Sequence, residues 1–226
     1  MVSFFGVGKR FLDISLAGVL LVLLFVPFIF ITGVSLLVQG YPVFFFQRRA
    51  GLYGKVFRIW KLRTMDGQPG SEESDESRIT SWGWILRKFK IDELPQLINV
   101  LKGEMSLVGP RPLPLGYEEN LDHRHLARYQ VRPGMTGLAQ VKGGNTISWH
   151  RRFELDLFYV DKKSFSLDVR ILADTIPAIL GYEAVVSPTL TPSYNQVSQS
   201  DDRSPVSIQP FPVGKRGEAE PCSVEA

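Results

Sequence analysis

The stretch that most restricts the fold runs from Ile14 to Val38, "ISLAGVLLVLLFVPFIFITGVSLLV", and contains no charged residue. About 20 apolar residues suffice to span a bilayer as a helix, so a membrane element is expected near the start of the chain. A cleaved signal peptide fits poorly, because the run is too long and no small-residue cleavage site follows it.

The flanks bear on how that element sits. Lys9 and Arg10 precede the run and Arg48, Arg49 and Lys55 follow it, so the tendency of basic residues to stay on the cytoplasmic side pulls both ends the same way. Pro27 stands near the middle, where its missing N–H and ring clash kink or break a helix. Two halves of about 13 residues would each reach ~20 Å, short of a ~30 Å hydrocarbon core. A helix-break-helix hairpin entering and leaving one leaflet fits the charges, and a simple kinked span remains the other reading. The 26 Lys and Arg against 23 Asp and Glu do not advertise a nucleic-acid partner. Cys222 is the single cysteine, so no internal disulfide forms and the globular part is expected in the cytoplasm.

Beyond the anchor, "YPVFFFQRR" and "GKVFRIWKLRTM" alternate apolar and polar residues, the pattern of short strands or of an interfacial segment. Gly67 to Ser77 is acidic and turn-forming and reads as a surface loop. Leu94, Leu97, Ile98 and Leu101 then recur at helical spacing, with Pro95 in the first turn. Asp92 and Glu93 would lie at the N-terminus of that helix, where N–H groups and the dipole favour negative charge. An N-cap role for Asp92 is the plain local explanation. Further on, "GPRPLPLG" and "RPGMTGLAQVKGGN" read as rigid loops carrying Arg111, Arg132 and Lys142. Arg111 lies between two prolines, a stiff mount suited to bidentate phosphate contact. "RRFELDLFYV" and "DVRILADTIPAIL" are amphipathic helical patterns. From Glu183 the composition turns polar and aperiodic, so residues 1–182 are expected to fold and 183–226 to form a disordered tail.

A carboxylate pair, several arginines and a membrane anchor together suggest phosphoryl chemistry at a bilayer surface. One carboxylate can attack phosphorus while the other takes a proton or helps hold a metal. Arginines and a bridging Mg²⁺ stabilise charge on the transferring group. His123, His125 and His150 show no zinc-site spacing, and His123 and His125 read as solvated helix residues. There is no Walker loop or dinucleotide fingerprint.

Taken in order, "KRFLDISLAGVLLVLLFVP", "FRIWKLRTM", "IDELPQLINVLKGEMSLVGPRPL", "RPGMTGLAQVKGGN" and "ISWHRRFELDLFYV" resemble the bacterial sugar transferases, the small monotopic polyprenyl-phosphate phosphoglycosyl transferases, over nearly all of Lys9 to Leu180. The resemblance implies an α+β, mostly helical fold: a re-entrant membrane hairpin at about residues 11–38, a small cytosolic catalytic domain and interfacial amphipathic helices. It implies transfer of a sugar-1-phosphate from a UDP-sugar to undecaprenyl phosphate, with release of UMP, at the cytoplasmic face of the bacterial inner membrane, as the first membrane step of assembling a surface or secreted glycan. It also implies that Asp92 is the nucleophile of a two-step reaction, with Glu93 assisting. Arg87, Arg111, Lys61 and Arg132 match phosphate-binding positions, and Mg²⁺ is implied as cofactor, with Asp92 as its ligand. Inner-membrane lipid is an implied partner, and self-association is left open. The chain departs from the family pattern at Val26, where serine is common before the proline, at Ala50 in place of a proline, and at Gly144 in place of an arginine. A membrane-bound phosphohydrolase using the same acids, and a non-catalytic membrane scaffold, are the competing readings.

Overall fold

The computed structural model describes residues 4–67, 77–117 and 121–180. The expected acidic loop, over residues 68–76, and the expected tail lie outside them.

The apolar run is part of one helix, α1 (Phe4–Gln39), with Pro27 inside it. The expected division into two helices is therefore not seen. Proline removes one helical hydrogen bond, and helices with exposed apolar faces tolerate it when nearby groups satisfy the backbone. Just beyond it, Thr32 Oγ1 donates to Phe28 O at 2.8 Å and Ser35 Oγ to Ile31 O at 2.9 Å.

At 1.5 Å per residue α1 is ~54 Å long, yet both of its ends dock on the same globular body. Near its start, Phe5 packs on Phe165 with ring centroids 5.0 Å apart, and Lys9 Nζ reaches Asp168 Oδ2 at 2.7 Å. Near its end, Ser35 accepts from Trp82 Nε1 at 2.9 Å and Gln39 Nε2 donates to Thr80 Oγ1 at 2.7 Å. Between them the outer surface is bare: Val22, Phe25, Val26 and Phe30 are each more than 60% exposed. The helix is long and apolar enough to cross a membrane, and most of its apolar stretch is not covered by protein. An apolar surface of this extent is a membrane-binding feature.

The first half of α1 belongs to the core. Ala17 is fully buried among Leu97, Val100, Met105, Leu107, Leu155 and Ile171, with Leu20 and Leu21 packed on the same cluster. That cluster joins α1 to α3 (Gln96–Lys102), β3 (Ser106–Val108), α5 (Trp149–Lys162) and α6 (Phe165–Ile179). Asp13 Oδ1, buried on α1, accepts from Leu107 N at 3.0 Å and fixes β3 against the helix.

The two alternating stretches form an antiparallel hairpin, β1 (Phe44–Ala50) and β2 (Val56–Leu62), with Phe45 opposite Lys61, Gln47 opposite Ile59 and Arg49 opposite Phe57. Opposed residues share a sheet face, so Lys61, Gln47 and Arg49 lie on the side of the buried Ile59 and Phe57. The predicted rigid loop "RPGMTGLAQV" contains instead a strand, β4 (Gly134–Thr136), parallel to β3, and a short helix, α4 (Leu138–Val141). Glycine permits that pairing: a Cβ on Gly134 would lie 2.1 Å from Gly109 N. The two late amphipathic patterns are α5 and α6, each N-capped by a serine, Ser148 and Ser164. His125 does not stand in solvent as expected. It is buried, with its ring 5.2 Å from that of Phe153, because α5 closes over the 3₁₀ segment His123–Gln130 that carries it.

Candidate active site

Asp92 and Glu93 lie in a 3₁₀ turn, Ile91–Glu93, that leads into α3 through Leu94 and Pro95. The chain enters this turn from α2 (Ser81–Lys88) through Lys90, whose φ of 57° reverses its direction. Pro95 takes the N-cap position of α3, so the acids sit one turn earlier than the apolar spacing predicts. The capping explanation for Asp92 also fails. Neither the turn nor α3 has a side-chain cap, and Asp92 Oδ1 is buried without a hydrogen-bond partner among the described residues.

Its neighbour is saturated. Glu93 Oε1 accepts from Lys61 Nζ at 2.7 Å and from Arg111 Nη2 at 2.5 Å, and Oε2 receives Arg111 Nη1 at 3.3 Å. Burial alone would raise the Glu93 pKa, yet the Arg111 and Lys61 charges outweigh it and hold the carboxyl well below the usual carboxylate range. Burial, then the Glu93 charge, push Asp92 the other way, above an ordinary aspartate, while Lys61, Lys90 and Arg87 pull it back. Two adjacent carboxylates thus have opposed environments, a pattern found where acid and nucleophile roles are divided. A more basic carboxylate that is still ionised is the better nucleophile.

Each cation has a mount. Lys61 extends from β2, which α3 grips through Asn99: its Oδ1 accepts from Trp60 N at 3.2 Å and its Nδ2 donates to Arg58 O at 2.7 Å. Arg87 Nε donates to Thr64 Oγ1 at 2.8 Å, and Gly83 lets α2 close on that threonine, since a Cβ there would meet Thr64 O at 2.1 Å. Arg111 projects from the doubly prolyl loop with its side chain about half exposed. Arg132 is not brought to the acids. Its Nε donates at 2.9 Å to Gly103 O, just past the far end of α3. There it joins Arg10, which donates to Val100 O at 2.6 Å and Leu101 O at 2.9 Å, in satisfying the helix's terminal carbonyls.

The sequence reading missed Arg49. It donates to Pro112 O at 3.1 Å and Gln47 Oε1 at 2.5 Å. Burial and the nearby Arg111 charge push its guanidinium down to about 10. Period-two alternation along β1, counted from Lys61 across the hairpin, would have put Arg49 on the site's face, but only once the register was known.

Mg²⁺ prefers a few carboxylates together with substrate phosphates and water. No group of three or more His, Cys, Asp or Glu side chains gathers to form a protein cage among the described residues. Asp92, whose carboxylate accepts no hydrogen bond from a described residue at Oδ1, could give one oxygen to Mg²⁺ and keep the other free; Glu93, with both oxygens engaged by cations, could not.

A buried carboxylate with a raised pKa, a partner engaged by Lys61 and Arg111, and a long apolar helix are features suited to a membrane-associated enzyme acting on phosphate-bearing substrates. The family described as bacterial sugar transferase matches residues 4–182, and the chain belongs to it. An uncharacterized sugar transferase, EpsL, of Bacillus subtilis (strain 168) is 47% identical over 180 residues, covering 78% of this chain and 89% of the relative. A UDP-glucose:undecaprenyl-phosphate glucose-1-phosphate transferase of Caulobacter vibrioides is 41% identical over 186 residues, covering 76% of this chain and 69% of its own. The exopolysaccharide production protein ExoY of Sinorhizobium fredii is 35% identical over 194 residues, covering 77% and 86%. The chain is accordingly a phosphoglycosyl transferase.

Proposed function

We propose that this enzyme transfers a sugar-1-phosphate from a UDP-sugar to undecaprenyl phosphate, releasing UMP, as the first membrane step of exopolysaccharide assembly. In the first half-reaction an ionised Asp92 oxygen attacks the sugar-bearing phosphorus. The bond from that phosphorus to the bridging oxygen breaks, and UMP departs with the electron pair. An oxygen of undecaprenyl phosphate then attacks the same phosphorus, and the aspartate leaves with its pair restored. Arg111, Lys61, Arg87 and Arg49 offset charge on the phosphates. Glu93 holds Arg111 and Lys61 in place rather than moving a proton, since those two cations keep it ionised. Mg²⁺ bound at Asp92 and the substrate phosphates would supply further charge neutralisation.

The observation that carries this reading is the buried, unpartnered Asp92 Oδ1 beside a fully engaged Glu93. Burying a carboxylate oxygen without a partner is costly, and a site that receives an electrophilic phosphorus gives that cost a use. The docking of both ends of α1 on one body supports a re-entrant placement, with both ends at the cytoplasmic face of the inner membrane. The UDP-glucose named for one relative makes it the first donor to try. The test is a panel of UDP-sugars with purified protein, undecaprenyl phosphate and Mg²⁺. UMP release that depends on acceptor over many turnovers supports the reading. Release of sugar phosphate to water without acceptor would replace it with a phosphohydrolase.

A further inference from the structure

We propose that Arg128 and Asp156 are positioning residues for the transfer: a buried ion pair that sets Arg111 from behind, through its backbone. The proposal rests on the reading of the site given above, and the starting point is the loop that carries Arg111.

Pro110 and Pro112 have no N–H groups, so the loop is held by its carbonyls, and each has a donor. Pro110 O accepts from Gly134 N at 2.9 Å and Leu113 O from Ala50 N at 3.3 Å. Pro112 O accepts from Arg49 Nη1 at 3.1 Å. The carbonyl of Arg111 itself accepts from Arg128 Nη2 at 2.6 Å. That same nitrogen lies 2.9 Å from Asp156 Oδ2, and the two side chains are only 3% and 5% exposed. Phe153 lies under the guanidinium, 5.3 Å from ring centre to Cζ. The relay runs from Asp156 on α5, through Arg128 on the 3₁₀ segment, to the backbone of the residue whose side chain clasps Glu93.

Packing around this loop leaves a small gap. A cavity of about 10 Å³, room for one water, is bordered by Ala50, Pro110, Arg111, Pro112 and Arg128. The Arg111 side chain is about half exposed, so beyond its clasp on Glu93 its placement depends on its backbone. A charged pair is a costly way to fill space, because well-packed apolar residues in its place are often neutral or stabilising. A directional donor aimed at the Arg111 carbonyl is what an apolar pair cannot supply. Burial pushes the Asp156 carboxyl up to about 6, and the Arg128 and Arg152 charges pull it back.

The test replaces the pair by apolar residues of similar volume, Arg128→Met with Asp156→Leu, in the full-length protein. Four quantities are measured: melting temperature, kcat and KM for UMP release, the same constants in an Arg111→Ala background, and amide exchange of the peptide spanning residues 109–113. The proposal predicts an unchanged or higher melting temperature and a fall in kcat/KM on the order of 10²-fold, the cost of a displacement near 1 Å. It predicts little further fall in the Arg111→Ala background, and faster exchange at 109–113 than in wild type. Arg128→Lys, which keeps a charge opposite Asp156 but loses the planar fork, covers a failure of the apolar pair to fold; it should lower kcat/KM about tenfold. Full activity in the apolar pair, or an equal loss with and without Arg111, would make the pair merely structural and overturn the proposal. If the wild type releases no UMP from any UDP-sugar, the functional reading fails separately, and unchanged exchange at 109–113 then overturns this one on its own.

Discussion

Arg111 clasps Glu93, with Nη2 at 2.5 Å and Nη1 at 3.3 Å, while the adjacent Asp92 keeps a buried oxygen that no described residue engages. The division of labour in the acid pair follows from that asymmetry. In the proposed reaction one carboxylate organises the cations and the other is left available to phosphorus.

An available carboxylate in a buried setting costs stability. The Asp92 pKa is raised on folding, so the folded state holds its proton longer than the unfolded chain does. The contribution favouring the fold is therefore present below the unfolded value, near 3.9, and is lost as pH rises through the raised one. At neutral pH Asp92→Asn should melt higher than wild type, by about 2–4 °C for each kcal/mol relieved, while UMP release falls by at least about 10³-fold. Thermal melts of both proteins at pH 7 check this, and a lower melting temperature for the variant would contradict it.

Glu93→Gln removes the like charge that raises Asp92 and frees Lys61 and Arg111 to act on it. Both changes favour the ionised aspartate. The acid limb of the kcat/KM profile should move to lower pH even as the rate falls, because the cations lose their anchor. A limb that stays in place or moves upward would show that Asp92 is not the group titrating.

The cations should separate by kinetics. Arg87→Gln and Lys61→Gln each remove a charge near the acid pair and should raise KM for the UDP-sugar by about tenfold, the scale of one charged hydrogen bond. Arg132→Gln should leave KM unchanged and lower stability by about 1 kcal/mol through the lost contact to Gly103 O. A KM effect from Arg132 as large as that from Arg87 would return it to the substrate site.

Asp168 lies at the junction of three elements, taking Lys9 Nζ at 2.7 Å from α1 and the Tyr159 hydroxyl at 2.7 Å from α5. Asp168→Ala would leave Lys9 unpaired in a part-buried position. A loss of about 3 kcal/mol is expected, seen as a lower melting temperature with kcat per folded molecule unchanged.

Local pattern made much of this legible in the sequence. Period-two alternation offered the two strands as one of two readings, without their pairing; helical spacing marked α5 and α6, and the acid pair stood out by its place before the Leu97 stripe. What stayed hidden depends on contacts distant in sequence. The parallel pairing of β3 with β4 turns on glycines meeting across a chain separation of some 25 residues. Arg49 joins the site only through the strand register, and Arg128 meets Asp156 only because α5 folds over the 3₁₀ segment. α1 likewise runs on through Pro27 with both of its ends docked on the same body, contacts that a proline in the sequence cannot announce.

The most direct test of the central claim is mass spectrometry of the protein after brief exposure to its UDP-sugar and Mg²⁺ without polyprenyl acceptor. The account predicts one added sugar-phosphate mass on the peptide containing Asp92, discharged when undecaprenyl phosphate is supplied and absent in Asp92→Asn. A competent enzyme that turns over while its adduct maps to another residue, or forms none, would contradict it.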